Sequence, residues 1–193
     1  MPGEDLEGVL TDEELLQRTA AGERAAFDAF VSRHEAAVYR FARAATEGPA
    51  AAEDVLQETF LAAWRGAAGF QGRAAARTWL LTIARNQAFH HREREGRLPG
   101  NDGEDLPELG AAAGWGAESP EAGALRAERR ACLARALDAL APEDREVLVL
   151  RDLEELTGEE AAAALGLSLP AMKSRLHRAR LRLAAELRRY GPC

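Results

Sequence analysis

At 193 residues and a formal net charge of −7, the chain has room for one or two domains. Hydrophobic residues make up 47% but aromatics only 6%, so alanine fills many apolar positions and modest helical cores are expected. No signal peptide and no uncharged apolar run of about 18 residues occur, which argues against membrane insertion and for a soluble cytoplasmic protein.

Residues 1–10 are acidic and read as a flexible leader. Thr11 and Glu14 have capping-box spacing, so a short helix opens there, carries Leu15 and Leu16, and ends near Gly22. A second helix, Glu23 to Ala44, puts Phe27, Phe30, Val31, Val38, Phe41 and Ala42 on one side; His34 and Tyr39 read as packing or solvated residues. The Gly48–Pro49 step breaks it.

The next helix, Ala51–Arg65, buries Leu56, Phe60, Ala63 and Trp64. Asp54, Glu58 and Leu61 recur on its opposite side with Gln57 beside them. A leucine within a polar stripe suits a protein contact, although single exposed leucines are also ordinary.

A glycine-bearing loop, residues 66–75, precedes a helix from Ala76 to Glu95. Arg77, Arg85 and Arg92 form one broad face, and Trp79, Ile83 and Asn86 another. Arginines near Phe70 and Trp79 resemble the pairing by which single-stranded nucleic acids are held, cations on phosphates and apolar or amide groups on bases. Trp79 itself reads as core.

Residues 97–120 are rich in Gly, Pro and acid and read as a linker. A long helix then runs from Pro120 to about Leu140, with Cys132 on its apolar stripe and so in the core. Pro142 opens another helix, carrying Val147, Leu148 and Leu150.

Thr157 and Glu160 form a second capping box, Gly166 ends that helix, and Ser168 caps the next with Pro170 in its first turn. Two helices about a glycine turn make a helix-turn-helix. Leu169, Met172, Leu176, Ala179 and Leu183 form its core stripe. Ser174, His177 and Arg178 face away, flanked by Lys173, Arg175, Arg180 and Arg182. Such a face fits either a solvated helix or a DNA major groove, in which side chains reach base edges and flanking cations meet phosphates.

Charge is segregated. Residues 66–97 hold 6 basic and 2 acidic groups, whereas 98–125 hold 6 acidic groups and no basic one. A chain of this kind should bind DNA poorly alone and better once a partner covers its acidic parts. Four scattered histidines, no cysteine pair, no phosphate-binding glycine loop and no nucleophile motif support neither metal nor cofactor, catalytic residue nor small-molecule substrate.

The stretches AEDVLQETFLAAW, FQGRAAARTWLLTIARNQA, LAPEDREVLVLRDLEELTGEEAAAALG and MKSRLHRARLRL together resemble an extracytoplasmic-function (group IV) sigma factor of bacterial RNA polymerase. The resemblance covers nearly all of the chain except its leader and linker. It implies an all-α fold of two small helical domains, 11–96 (region 2) and 121–193 (region 4), joined by the flexible acidic linker 97–120. It implies a non-enzymatic initiation factor that binds core polymerase, recognises −10 and −35 promoter elements and promotes melting.

By the same resemblance Asp54, Gln57, Glu58 and Leu61 would contact core polymerase. Phe70, Gln71, Gly72, Arg73, Arg77, Arg85 and Asn86 would engage the −10 single strand, and Lys173, Ser174, Arg175, His177 and Arg178 the −35 major groove. A cognate anti-sigma factor is a further implied partner. Pro170 and Ala171 depart from the family pattern, so no relative's promoter sequence is carried over. The rival readings are a stand-alone helix-turn-helix regulator, which would bind duplex sites without polymerase, and a protein-interaction module.

Overall fold

The computed structural model describes residues 10–96 and 120–189, the second span with side chains from residue 128. Every regular element among them is helical: α1 (Asp12–Ala20), α2 (Arg24–Ala45), α3 (Gly48–Gly66), α4 (Ala76–Arg94), α5 (Pro120–Asp138), α6 (Pro142–Leu148), α7 (Gly158–Leu165) and α8 (Leu169–Arg189). A 3₁₀ turn, Ala67–Gly69, follows α3, and one π-helical turn, Val149–Leu153, follows α6. The expected leader, except Leu10, and nearly all of the expected linker lie outside the described residues.

Both capping boxes form. The Glu14 amide donates to Thr11 Oγ1 at 3.2 Å while the Thr11 amide donates to Glu14 Oε2 at 2.8 Å, and Thr157 and Glu160 repeat the exchange at the same distances. Each box satisfies two amides that have no partner within the helix. The hydrogen bonds from Thr157 also hold the Glu160 carboxyl below its ordinary value.

The N-terminal domain, α1–α4, closes over Leu15, Leu16, Phe30, Val38, Phe41, Val55, Leu80 and Leu81, all with exposures of 0–1%. Burying each such side chain is worth about 1.5–3 kcal/mol. His34, expected to be packed or solvated, is buried, and its Nε2 lies 2.8 Å from Asp12 Oδ2 while Arg33 donates to Asp12 Oδ1 at 2.6 Å. Partial burial pushes the Asp12 carboxyl up, but the hydrogen bonds from His34 and Arg33 bring it below its usual range. Trp64, expected inside, is 38% exposed and meets Phe27 edge-on at 5.0 Å.

The C-terminal domain packs α6, α7 and α8 around Leu150, Leu165 and Met172, and this apolar cluster continues without a gap into that of the first domain. Cys132 on α5 is 3% exposed, in the core as expected; Cys193 lies outside the described residues.

After the π turn Glu155 takes a left-handed conformation, φ 54°, and the Leu156 amide reaches back to the Leu150 carbonyl at 3.0 Å. That conformation costs an L-residue about 1–2 kcal/mol, whereas glycine adopts it freely at a backbone-entropy cost of about 0.5–1 kcal/mol. Glu155→Gly should therefore raise stability by up to about 1 kcal/mol. The check is the urea midpoint at unchanged slope; a lower midpoint would contradict it.

Candidate nucleic-acid and protein interfaces

The helix-turn-helix is built by local chemistry. Gly166, φ 64°, ends α7 in a left-handed cap whose own amide donates to the Ala163 carbonyl at 3.1 Å, while the Leu167 amide donates to the Ala162 carbonyl at 2.9 Å. Ser168 Oγ accepts from the Ala171 amide at 3.4 Å, and Pro170 falls in the first turn of α8, as expected. Gly158 opens α7 where α8 passes closely: a Cβ there would lie 3.2 Å from Leu169 Cδ1 and 3.3 Å from Met172 Cε.

Met172, Leu176 and Ala179 bury one face of α8 at 1%, 8% and 0% exposure. Lys173, Ser174, His177 and Arg178 are exposed on the other, with Arg175 half-buried beside them. The predicted DNA-facing residues therefore share one surface. Arg180 and Arg182, read from the sequence as flanking cations for phosphate, are instead tied back: Arg180 Nε donates to Asp152 Oδ2 at 3.1 Å, and Arg182 pairs with Asp144. They dock α8 on α6 and the π turn.

On α3 the four predicted protein-contact residues lie together. Asp54, Gln57 and Leu61 are exposed, Leu61 by 48%, and Glu58 is half-buried. Arg94 of α4 donates to both Glu58 carboxylate oxygens at 3.0 Å. Between α3 and α2 runs an open groove of about 400 Å³, lined by Val31, Glu35, Asp54, Leu56, Gln57 and Phe60. Glu35 and Glu53 add carboxylates that the sequence reading did not assign; Glu35 comes from a different helix, and no spacing rule brings it in.

The loop before α4 is likewise open. Gln71, Gly72 and Arg73 are exposed, and Gly72 turns with φ 65°. Phe70 is half-buried against Trp79, ring centres 5.2 Å apart, so the predicted core residue Trp79 is the floor beneath a predicted strand-contact residue. Asn86 is exposed further along α4.

The arginine stripe of α4 behaves differently. Arg77 pairs with Glu154 of the second domain, and Arg92 Nη1 donates to Glu146 Oε1 at 2.7 Å and to the Ala45 carbonyl at 2.8 Å. Arg85 is half-buried, its Nη1 3.7 Å from where a Cβ on Gly166 would stand. Burial pushes the Glu146 carboxyl up, against the opposing pull of Arg92. Burial likewise lowers the Arg145 guanidinium, which donates to the Ala44 carbonyl at 2.8 Å. Glu154, Glu146 and Arg40 carried no signal in the sequence, because their partners are distant along the chain.

Comparison with known proteins follows the same division. Residues 30–98 match the family Sigma-70 region 2, and residues 130–183 match Sigma-70, region 4. The RNA polymerase sigma-H factor of Pseudomonas aeruginosa is 33% identical over 177 residues, covering 88% of this chain and 90% of that protein. The ECF RNA polymerase sigma-E factor of Escherichia coli K12 is 33% identical over 176 residues, covering 89% and 91%. Among solved structures, CnrH in complex with the cytosolic domain of CnrY aligns with a TM-score of 0.64 at 32% identity, covering 91% of this chain and 96% of that one. The sigma factor RpoE in complex with the anti-sigma factor NepR from Bartonella quintana aligns at 0.65 and 25% identity, covering 84% and 96%. Sequence motifs, helical architecture and relatives agree: the chain belongs to the extracytoplasmic-function sigma factors of bacterial RNA polymerase.

Proposed function

We propose that the chain acts as a group IV sigma factor in the cytoplasm, with domain 11–96 serving core binding, −10 recognition and melting, and domain 121–193 serving −35 recognition. The observation that carries the reading is the face of α8: Lys173, Ser174, His177 and Arg178 stand exposed together on a helix anchored by Met172, Leu176 and Ala179. A hydroxyl, an imidazole and a guanidinium in one row suit base edges in a major groove, and Lys173 suits a phosphate. Asp54 and Gln57 line the groove beside α3 and Glu58 and Leu61 stand outside it on the same helix, together a mixed acidic and apolar surface for core polymerase.

Phe70, Gln71, Gly72, Arg73 and Asn86 receive unstacked bases of the −10 element, with Arg77 and Arg85 on the strand's phosphates. Binding energy does the work: extruding a base costs a few kcal/mol, offset by stacking worth about 1–3 kcal/mol per base and by cation–phosphate pairing. The acidic residues 97–120 accompany the chain past polymerase's nucleic-acid path. An anti-sigma factor is the expected regulatory partner, as in the solved complex of the Bartonella quintana relative. Among the described residues no helix is long and apolar enough to cross a membrane.

Association with core polymerase tests the α3 assignment. Asp54→Lys/Glu58→Lys should lose co-elution with core, whereas Arg94→Ala, which removes only an exposed ion pair worth about 0–1 kcal/mol, should keep it. Unchanged co-elution of the double variant would move the core contact away from α3.

A further inference from the structure

The two domains are joined by more than apolar packing. Glu154, its side chain 0% exposed, grips two arginines of the first domain: Arg40 Nε donates to Oε1 at 2.6 Å, and Arg77 pairs with Oε2. Next to it Thr78 Oγ1 donates to Glu160 Oε1 at 3.4 Å, and Arg92–Glu146 and Arg145 on the Ala44 carbonyl complete the seam. Nearly every polar contact on this seam is charge-assisted.

A carboxylate and a phosphate present the same chemistry to a guanidinium, two anionic oxygens in a plane that its fork of N–H groups matches. Buried ion pairs add little net stability over apolar packing, yet they fix one geometry and cost several kcal/mol when one partner is lost. They therefore suit a contact that must be specific and also reversible. The segment between Gly96 and Pro120 could span at most ~80 Å if fully extended, enough for the halves to part without unfolding.

We propose that Glu154 is an intrachain latch: it holds the helix-turn-helix domain on α4 and occupies the guanidinium of Arg77, so that Glu154 and a phosphate of single-stranded DNA compete for the same arginine. The inference rests on the reading of Arg77 as a strand contact. It gives the free chain a closed form with weak affinity for the −10 strand, and it gives opening a residue-level cause. Arg40 holds the same carboxylate from α2, so the latch has two points of attachment on the first domain.

The test uses the full chain with two readouts, the radius of gyration from X-ray scattering and the anisotropy of a labelled single-stranded oligodeoxynucleotide. Glu154→Gln keeps the side chain's volume but removes its charge. It should expand the protein at unchanged helix content and tighten strand binding about tenfold, the gain expected when a competent form about one-tenth populated becomes the main one. Adding Arg77→Ala should remove the gain, since the released group is then missing. Arg40→Gln, at a part-exposed position, should shift both readouts the same way by less, and it keeps the question answerable if Glu154→Gln misfolds.

A Glu154→Gln protein that folds and is as compact as wild type overturns the latch. So does a gain in binding that survives Arg77→Ala, or an expansion without any gain. Core co-elution and promoter-dependent transcription by the wild-type chain report on the sigma reading separately, so loss of the latch leaves that reading standing.

Discussion

Replacing Lys173 and Arg178 together by alanine is expected to remove promoter selection while leaving the fold and core association intact. Both side chains are exposed on α8 and neither appears among the contacts that dock the helix, which are made by Met172, Leu176, Ala179, Arg180 and Arg182. Truncating them should move stability by less than about 0.5 kcal/mol. Their effect on DNA is larger and divides by role. An arginine that reads a base costs about 1–3 kcal/mol at one promoter position when lost, whereas a lysine on a phosphate weakens all sequences alike and lowers the salt slope by about one. Binding of the core complex to a promoter library varied in its −35 element, at several salt concentrations, separates the two. An unchanged sequence preference in both single variants would place the reading surface elsewhere.

Phe30→Ala is expected to cost about 3–5 kcal/mol, the range for removing an aromatic ring from a core that closes only partly over the gap. Phe30 is 0% exposed and lies 4.7 Å from the His34 ring and 6.5 Å from Phe27, centre to centre. His34 in turn holds Asp12 and with it α1, and Phe27 meets Phe60 and Trp64 of α3. The ring thus supports the underside of the α3 groove. Against a total stability of typically 5–15 kcal/mol, the loss should lower the urea midpoint sharply and weaken core association on warming. A midpoint within experimental error of wild type would show that the aromatic cluster does not carry the first domain.

What could be read from the sequence was local. Thr157, Glu160 and Gly166 mark the helix-turn-helix because caps act over three or four residues, and the stripe from Leu169 to Leu183 follows from helical period alone. Asp54, Gln57, Glu58 and Leu61 fall together on α3 for the same reason. What could not be read depended on partners far along the chain. Arg180 and Arg182 have the spacing of phosphate contacts, yet Asp152 and Asp144 hold them. Arg77 sits on an open-looking arginine stripe, but its guanidinium is taken by Glu154. Trp64 has the period of a core residue but is 38% exposed, its ring meeting Phe27 edge-on rather than entering the core. Neither the π turn nor the left-handed Glu155 carried a local mark, since no glycine or asparagine stands there.

Run-off transcription on a genomic DNA library, with core RNA polymerase and the wild-type chain, tests the central claim most directly. The account predicts discrete start sites that appear only when both are present and that vanish with Asp54→Lys/Glu58→Lys or Lys173→Ala/Arg178→Ala. No gain of promoter activity over core alone, with the free chain still selecting duplex sites by itself, would contradict it and make the chain a stand-alone regulator.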